Sequence, residues 1–146
     1  MIPRFRPFIR YKELRALLFQ PKEAVHVFEK EFARMFGAID ALAFPYGRSA
    51  LWAFLKSQCI IDSEIIMPAY TCSVVAHAIS ISGNKPVFVD INLSDYNMSL
   101  ESLKNSITCS TRAIITTNTF GYPQNARRLQ NIIRNAESNF GHKIWL

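Results

Sequence analysis

Short apolar segments recur along this chain without the polar alternation that marks a strand with one face in water. The segments are Asp40 to Phe44, Ile65 to Met67, Val87 to Asp90, Ala113 to Thr117 and Lys143 to Leu146. Strands of this kind are buried on both faces, and helices between them supply the crossovers that parallel pairing needs. The sequence therefore predicts an α/β protein, with three α/β/α layers built around a mostly parallel sheet.

Helices are predicted between these strands. Pro21 suits a first helical turn, and Gly37 ends a run of apolar residues at helical spacing, which are Val25, Phe28, Phe32, Met35 and Phe36. The other predicted helices cover Ser49 to Ser57, Ser73 to Ser82, a segment capped by Ser99 with Leu100, Leu103 and Ile107, and a segment with Leu129, Ile132, Ile133 and Ala136. Propensity alone would make the Val- and Ile-rich segment from Ser73 a strand, but it must form a crossover between two parallel strands.

The stretch from Phe44 to Leu51 reads as the end of a strand that turns through Gly47 into a helix. The first N–H groups of a helix have no partner inside it and lie at the positive end of its dipole, so they can hold a phosphate. Glycine at position 47 is expected to permit the turn. An ordinary strand-to-helix loop is the alternative, because such loops are short and often contain glycine.

Several polar and aromatic residues follow the carboxyl ends of the predicted strands, where α/β sheets bind ligands. They are Gly47, the segment from Tyr70 to Cys72, Asp90 and Asn118, and they are expected to converge on one crevice. For Asp90 and Asn118 the alternative is a bond from the side chain to turn backbone. The dinucleotide and nucleoside-triphosphate glycine motifs do not occur in the sequence.

The distribution of charge and the spacing of histidines and cysteines argue against several other classes of protein function. Most of the formal charge of +6 falls in the first fifteen residues, which carry Arg4, Arg6, Arg10, Lys12 and Arg15 against Glu13. No nucleic-acid motif accompanies this basic arm, so no nucleic-acid partner is predicted. Neither a signal peptide nor a membrane span is read, and the scattered His26, His77 and His142 predict no metal site. Cys59, Cys72 and Cys109 lack metal or redox spacing, which favours a reducing cytoplasm.

From about Phe28 to Leu146, the order and spacing of these motifs resemble the DegT/DnrJ/StrS family of PLP-dependent sugar aminotransferases. Gly47-Arg48-Ser49-Ala50-Leu51 is similar to the family's Gly-Thr-x-Ala-Leu phosphate turn, with Arg48 replacing Thr. Pro68 to Cys72 is similar to the segment whose last position often stacks an aromatic ring on the cofactor. A thiol cannot stack in that way, so Tyr70 is the candidate substitute. The resemblance implies a cofactor-binding role for five residues, which are Gly47, Arg48, Ser49, Tyr70 and Cys72.

The resemblance further implies a partial fold type I large domain over residues 21–146, which ends before the family's lysine segment and is preceded by a basic leader arm over residues 1–20. The implied cofactor is pyridoxal 5'-phosphate. The implied partners are a nucleotide-linked keto sugar of polysaccharide biosynthesis, an amino-acid amino donor, and a second copy or a complementing chain. In the family, the acidic residue and the Schiff-base lysine come later in the sequence than the part matched here. None of Lys56, Lys85, Lys104 and Lys143 matches the position of that lysine. No catalytic residue is named, and the chain alone is expected to be inactive.

A second function remains open, in which this is a non-catalytic α/β domain that binds a phosphorylated small molecule or a partner subunit. The gene sequence after Leu146 distinguishes the two hypotheses, since the first expects it to encode an acidic residue and then a segment with a lysine. If the chain ends at Leu146, the strand from Asp40 to Phe44 lacks its neighbours in the sheet. An isolated chain of this kind is then expected to be marginally stable or prone to aggregation.

Overall fold

The structure is a computed structural model that describes residues 9–19 and 23–146. Its described residues divide into two compact units, one within Met1–Ala43 and the other Phe44–Leu146. The second unit contains every strand that the structure describes.

Two helices account for most of the described residues of the first unit, α1 (Tyr11–Leu18) and α2 (Ala24–Phe36). Gly37 ends α2 in a left-handed conformation (φ 62°) and donates its N–H to the carbonyls of Ala33 and Arg34, as the sequence predicted. Pro21, the predicted first turn, lies outside the described residues. The apolar stripe of α2 is exposed, and its rings stand in a row with centroids 5.8 and 4.6 Å apart, at Phe28, Phe32 and Phe36.

The segment from Asp40 to Phe44 is not a strand, so that prediction is wrong, although the absence of a pairing strand in the described part of the chain agrees with the expectation that its neighbours are missing. The backbone N–H of Ala43 donates instead to Glu29 Oε1 at 2.8 Å. An apolar run becomes a strand only when another strand supplies its hydrogen bonds, and here a side chain satisfies this donor.

The sheet of the second unit has three parallel strands in the order β2-β1-β3, namely β1 (Glu64–Pro68), β2 (Lys85–Val89) and β3 (Thr111–Ile114). Ile66 lies at the centre, opposite Val87 on one side and Ile114 on the other. The strand predicted over Ala113 to Thr117 is shifted toward the amino terminus. Only Trp145 of the last predicted strand joins the sheet, through one parallel bridge to Ala113.

The predicted crossover helices are present as α3 (Gly47–Ser57), α4 (Ser73–Ile81), α5 (Leu100–Ser106) and α6 (Ala126–Phe140). Ser99 caps α5 as predicted, since its side chain accepts the N–H of Ser102 at 3.3 Å. Gly141 ends α6 with a φ of 69°. Among the described residues, no helix is both long and apolar enough to cross a membrane.

Two apolar cores lie on opposite faces of the sheet and confirm the three layers. One packs Ile66 and Ile114 against α5 and α6, through Leu103, Leu129 and Ile133. The other packs Ile65 and Met67 against α3 and α4, through Leu55 and Ile79. Adjacent residues of β1 thus face different helix layers, which is the pattern that the lack of polar alternation predicted.

Glu64 ties together the amino-terminal edge of the sheet. Thr108 donates its hydroxyl to Glu64 Oε2 at 2.6 Å, and Lys85 Nζ donates to Oε1 at 3.1 Å. These contacts lower the pKa of Glu64 below its ordinary value, the Thr108 hydrogen bond being the largest cause and the Lys85 contact the next. One carboxylate therefore links β1 to β2 and to the loop that enters β3.

Candidate cofactor site

Two backbone N–H groups at the amino terminus of α3 lack an acceptor among the described residues. The Tyr46 carbonyl accepts the N–H groups of Ser49 at 3.0 Å and Ala50 at 3.2 Å. The N–H groups of Gly47 and Arg48 donate to no acceptor in the part of the chain that the structure describes. Free donors at the positive end of an eleven-residue helix form a suitable cradle for a phosphate.

Gly47 is the first residue of α3, and its conformation corrects one expectation. Its φ is not in the left-handed region, so the turn does not require glycine for conformational reasons. Apart from its chain neighbours and the adjacent backbone of α3, a Cβ built at Gly47 meets no atom of the described residues within 4 Å. Open space beside the free N–H groups is therefore the property that glycine contributes here.

Arg48 and Ser49 belong to the predicted phosphate turn and line a cavity. The Arg48 guanidinium carbon lies 4.2 Å from the centroid of the Tyr46 ring, a cation–π contact. Both residues line an apolar cavity of about 380 Å³ next to α4, together with Trp52 and His77. Arg48 and Ser49 thus line a different cavity from the segment that runs from Tyr70 to Cys72.

A second cavity, of about 500 Å³, opens at the carboxyl ends of β1 and β3. It is lined by Tyr70, Thr71, Cys72, Thr117, Thr119 and Phe120. The hydroxyl oxygens of Thr71 and Thr117 lie 3.3 Å apart and join the two strand exits. Cys72 is exposed and is the N-cap residue of α4. This arrangement brings Tyr70 and Cys72 to the predicted edge of the sheet.

Three aromatic rings cluster at this cavity, of which Tyr70 and Phe120 line it and Tyr96 packs against both, and sequence reasoning found only Tyr70. Its ring centroid lies 5.8 Å from that of Tyr96 and 6.5 Å from that of Phe120. Tyr96 and Phe120 both have left-handed backbones, with φ of 57° and 54°. Such a conformation costs a bulky residue on the order of 1–3 kcal/mol and is often found at functional sites. The one sequence signal for Phe120 is an aromatic residue beside Gly121, close after a strand exit.

The buried side chain of Asn97 connects the loops that carry these rings. Its Nδ2 donates to the Tyr122 carbonyl at 3.2 Å, and its Oδ1 accepts the N–H of Thr119 at 3.1 Å. Asn97 is 1% exposed. A buried side-chain amide of one loop that makes two hydrogen bonds to the backbone of another loop fixes the separation of the two loops.

Asp90 and Asn118 take the alternative role that was left open for them. Asp90 Oδ1 accepts the N–H of Ile91 at 2.8 Å, and Asn118 Oδ1 accepts the N–H of Gln124 at 3.0 Å. Both side chains therefore hold turn backbone at strand exits. Neither residue lines the cavity with Tyr70.

The lysines of the second unit lie away from this cavity. Lys85 pairs with Glu64 at the amino edge, and Lys143 Nζ lies 3.3 Å from the centroid of the Trp145 ring. Lys56 and Lys104 occupy the last turns of α3 and α5, the ends that lead back toward that amino edge. Among the described residues, no group of three or more His, Cys, Asp and Glu side chains is placed to hold a metal ion.

Comparisons with known proteins support the resemblance seen in the sequence. A model of the DegT/DnrJ/EryC1/StrS aminotransferase family matches residues 14–139. The GDP-4-keto-6-deoxy-D-mannose 3-dehydratase of Escherichia coli O55:H7 is 32% identical over 136 residues, covering 86% of this chain and 35% of that protein. The dTDP-3-amino-3,4,6-trideoxy-alpha-D-glucose transaminase of Micromonospora megalomicea subsp. nigra is 30% identical over 68% of this chain and 27% of its own length.

Solved structures agree with the fold. An E. coli GDP-4-keto-6-deoxy-D-mannose-3-dehydratase with bound hydrated PLP matches with a TM-score of 0.72 at 31% identity, over 84% of this chain and 33% of that one. The aminotransferase from Psychrobacter cryohalolentis shares the fold at a TM-score of 0.79 and 22% identity, over 94% of this chain and 36% of that one. The chain thus spans about a third of the length of these relatives. These matches confirm the family and the fold class predicted from sequence.

Proposed function

Because the chain belongs to the DegT/DnrJ/EryC1/StrS aminotransferase family, we propose that it provides the phosphate-binding helix and one wall of a PLP site in an enzyme of nucleotide-sugar metabolism. The substrate is a nucleotide-linked keto sugar. Support comes from the relatives, whose names specify GDP- and dTDP-linked sugars. When bound, PLP supplies an electron sink for bond cleavage next to a substrate nitrogen.

The observation that carries this proposal is the amino terminus of α3. The N–H groups of Gly47 and Arg48 are free within the described chain, and open space lies beside Gly47. A phosphate group fits both the donors and the space. The residues of this chain therefore hold the cofactor phosphate through backbone N–H groups.

The reaction type has two candidates. Amino transfer to the sugar, from an amino-acid donor, is the reaction that the family description indicates. Dehydration of the sugar is the second candidate, because the E. coli relative matched over 86% of this chain is named a 3-dehydratase. Both reactions act on a keto sugar, so both suit the same cofactor.

We also propose that these residues bind PLP non-covalently. The lysines of residues 44–146 do not line the cavity at the carboxyl edge, and Lys85 is engaged by Glu64 at the opposite edge. A Schiff-base lysine would then come from another segment or another chain. A homodimer or a complementing polypeptide would supply it.

The test is a titration of the chain with PLP and with pyridoxal, followed by absorbance. PLP is expected to bind at least tenfold more tightly, because only PLP carries the phosphate. Borohydride treatment followed by peptide mass spectrometry is expected to trap no adduct at any single lysine. Equal affinity for the two compounds would contradict the phosphate role, and one stoichiometric lysine adduct would contradict non-covalent binding.

The same titration separates the alternative function. A domain that only recognises a phosphorylated small molecule would bind inorganic phosphate or a sugar phosphate as tightly as PLP. Under the proposed function the pyridine ring adds affinity, so inorganic phosphate would bind more weakly than PLP.

A further inference from the structure

Phe120 stands out among the residues that line the cavity at the carboxyl edge. The residue is 79% exposed, against 50% for Tyr70. A single exposed apolar side chain needs no explanation. Phe120, however, is held in a left-handed backbone conformation that bulky residues seldom adopt, and it borders a cavity of about 500 Å³.

The position of Phe120 is set by its surroundings. Asn97 accepts the N–H of Thr119 and donates to the carbonyl of Tyr122, so it holds the backbone on both sides of Phe120. On the ring side, Tyr96 packs edge-on at a centroid distance of 6.1 Å. An exposed ring fixed in this way presents a preorganised aromatic surface to the cavity.

Phe120 and Tyr70 are the aromatic side chains among those that line this cavity in the described chain. Cys72 lines it as well, but a thiol offers no ring face. Each of the two rings contacts the other and Tyr96, so the difference between them is exposure, and Phe120 is the more exposed.

We propose that Phe120, positioned by Asn97, is the residue against which the planar pyridine ring of PLP stacks in this chain. The inference rests on the proposed function and specifies which side chain contacts the ring. Thr71 and Thr117 then lie near the ring as hydroxyl partners. Asn97 acts as a positioning residue because it touches loop backbone.

The experiment measures the dissociation constants of PLP and of inorganic phosphate for single-residue variants of the full chain. Phe120→Leu is expected to weaken PLP binding by roughly tenfold or more, in line with the loss of one aromatic stacking partner. Phe120→Tyr keeps a ring and is expected to keep the affinity. Tyr122→Leu removes a nearby exposed ring that does not line the cavity, so it serves as the matched control.

Inorganic phosphate has no ring, so its affinity is expected to be the same in the parent and in Phe120→Leu. Asn97→Ser is also expected to weaken the binding of PLP, as Phe120→Leu does. Adding Asn97→Ser to Phe120→Leu should cause little further loss, because both changes remove one stacking contact. Circular dichroism confirms that each variant is folded before it is compared.

The outcomes separate the two proposals. If the parent binds PLP more tightly than pyridoxal but Phe120→Leu binds PLP as the parent does, the stacking inference is wrong and the proposed function stands. If Phe120→Leu weakens phosphate as much as PLP, the ring contact is also refuted. If the parent does not bind PLP, both proposals fail.

Discussion

Thr71 and Thr117 place their hydroxyl oxygens 3.3 Å apart, one after β1 and the other after β3. Either hydroxyl can donate in this pair, and each carries a single hydrogen. One O–H group is therefore used within the pair while the other remains available to a ligand in the cavity. The contact both ties the two strand exits together and leaves a donor at the candidate site.

Thr117→Val should measure how much the hydrogen bond between Thr71 and Thr117 stabilises the fold. The substitution keeps the shape of the side chain but removes the hydroxyl, so we expect the free energy of unfolding to fall by about 1 kcal/mol. Urea denaturation measures the change. Thr116→Val is the control, since the Thr116 side chain makes no hydrogen bond within the described residues. An equal fall in the free energy of unfolding in both variants would show that the hydrogen bond between Thr71 and Thr117 does not stabilise the fold.

Gly47→Val should weaken PLP binding without weakening the fold. The new side chain fills the open space beside the free N–H groups, while the backbone conformation is one that any residue can adopt. We expect at least a tenfold loss of PLP affinity and a change in unfolding free energy within about 0.5 kcal/mol. Absorbance titration and thermal denaturation measure the two effects.

Gly141→Ala is the matched control and should show the opposite pattern. Gly141 ends α6 with a φ of 69°, so a Cβ there costs about 1–2 kcal/mol of stability. PLP affinity should not change. If Gly47→Val binds PLP like the parent protein, the helix terminus is an ordinary connection.

Arg48→Ala tests the cation in the first turn of α3. The guanidinium is expected to add a charge-assisted contact to the phosphate, so its loss should lower PLP affinity several-fold and flatten the dependence on salt. Lys56→Ala removes a cation from the last turn of the same helix and should change neither property. Unchanged affinity and salt dependence for Arg48→Ala would mean that this side chain serves only its contact with Tyr46.

Glu64 predicts a pH dependence of stability. Its pKa is lower in the folded chain than its ordinary value of 4.5, chiefly through the Thr108 hydrogen bond and then through Lys85. A carboxyl group with a lowered pKa stabilises the fold fully above that ordinary value. The stabilisation is then lost as the pH falls through the lower folded pKa.

The measurement compares the parent chain with Glu64→Gln by urea denaturation between pH 3 and 7. We expect a difference of about 1 kcal/mol near pH 7 that shrinks below about pH 4.5. Thr108→Val should shrink the same difference, because it removes the largest cause of the shift. A difference that does not vary with pH would refute the linkage.

Much of the fold could be predicted from sequence because local patterns agreed with the topology. Helix α4 is the clearest case, since its Val and Ile content favours a strand and only the need for a crossover between β1 and β2 indicates a helix. The strand predicted from Asp40 to Phe44 was wrong because its local pattern did not agree with the topology. Its apolar pattern is local, whereas strand pairing depends on residues elsewhere in the chain.

The candidate site was predictable only in part. Strand exits identified Tyr70 and Cys72, because the carboxyl ends of parallel strands meet at one edge. Tyr96 and Phe120 could not be found in this way, since their placement depends on left-handed backbones that the buried Asn97 supports. For Gly47 the sequence indicated the start of a helix correctly, whereas the backbone freedom of glycine is not used there, since its φ lies outside the left-handed region.

The three exposed thiols are divided between the two ends of the sheet. Cys72 caps α4 on the cavity, whereas Cys59 and Cys109 lie in loops that enter β1 and β3 at their amino ends. A ligand that fills the cavity would shield Cys72 and leave the other two open to reagent. The unmodified chain therefore carries a footprinting probe at its candidate site and two internal reference thiols, so that occupancy becomes visible as a change in the ratio of labelled peptides.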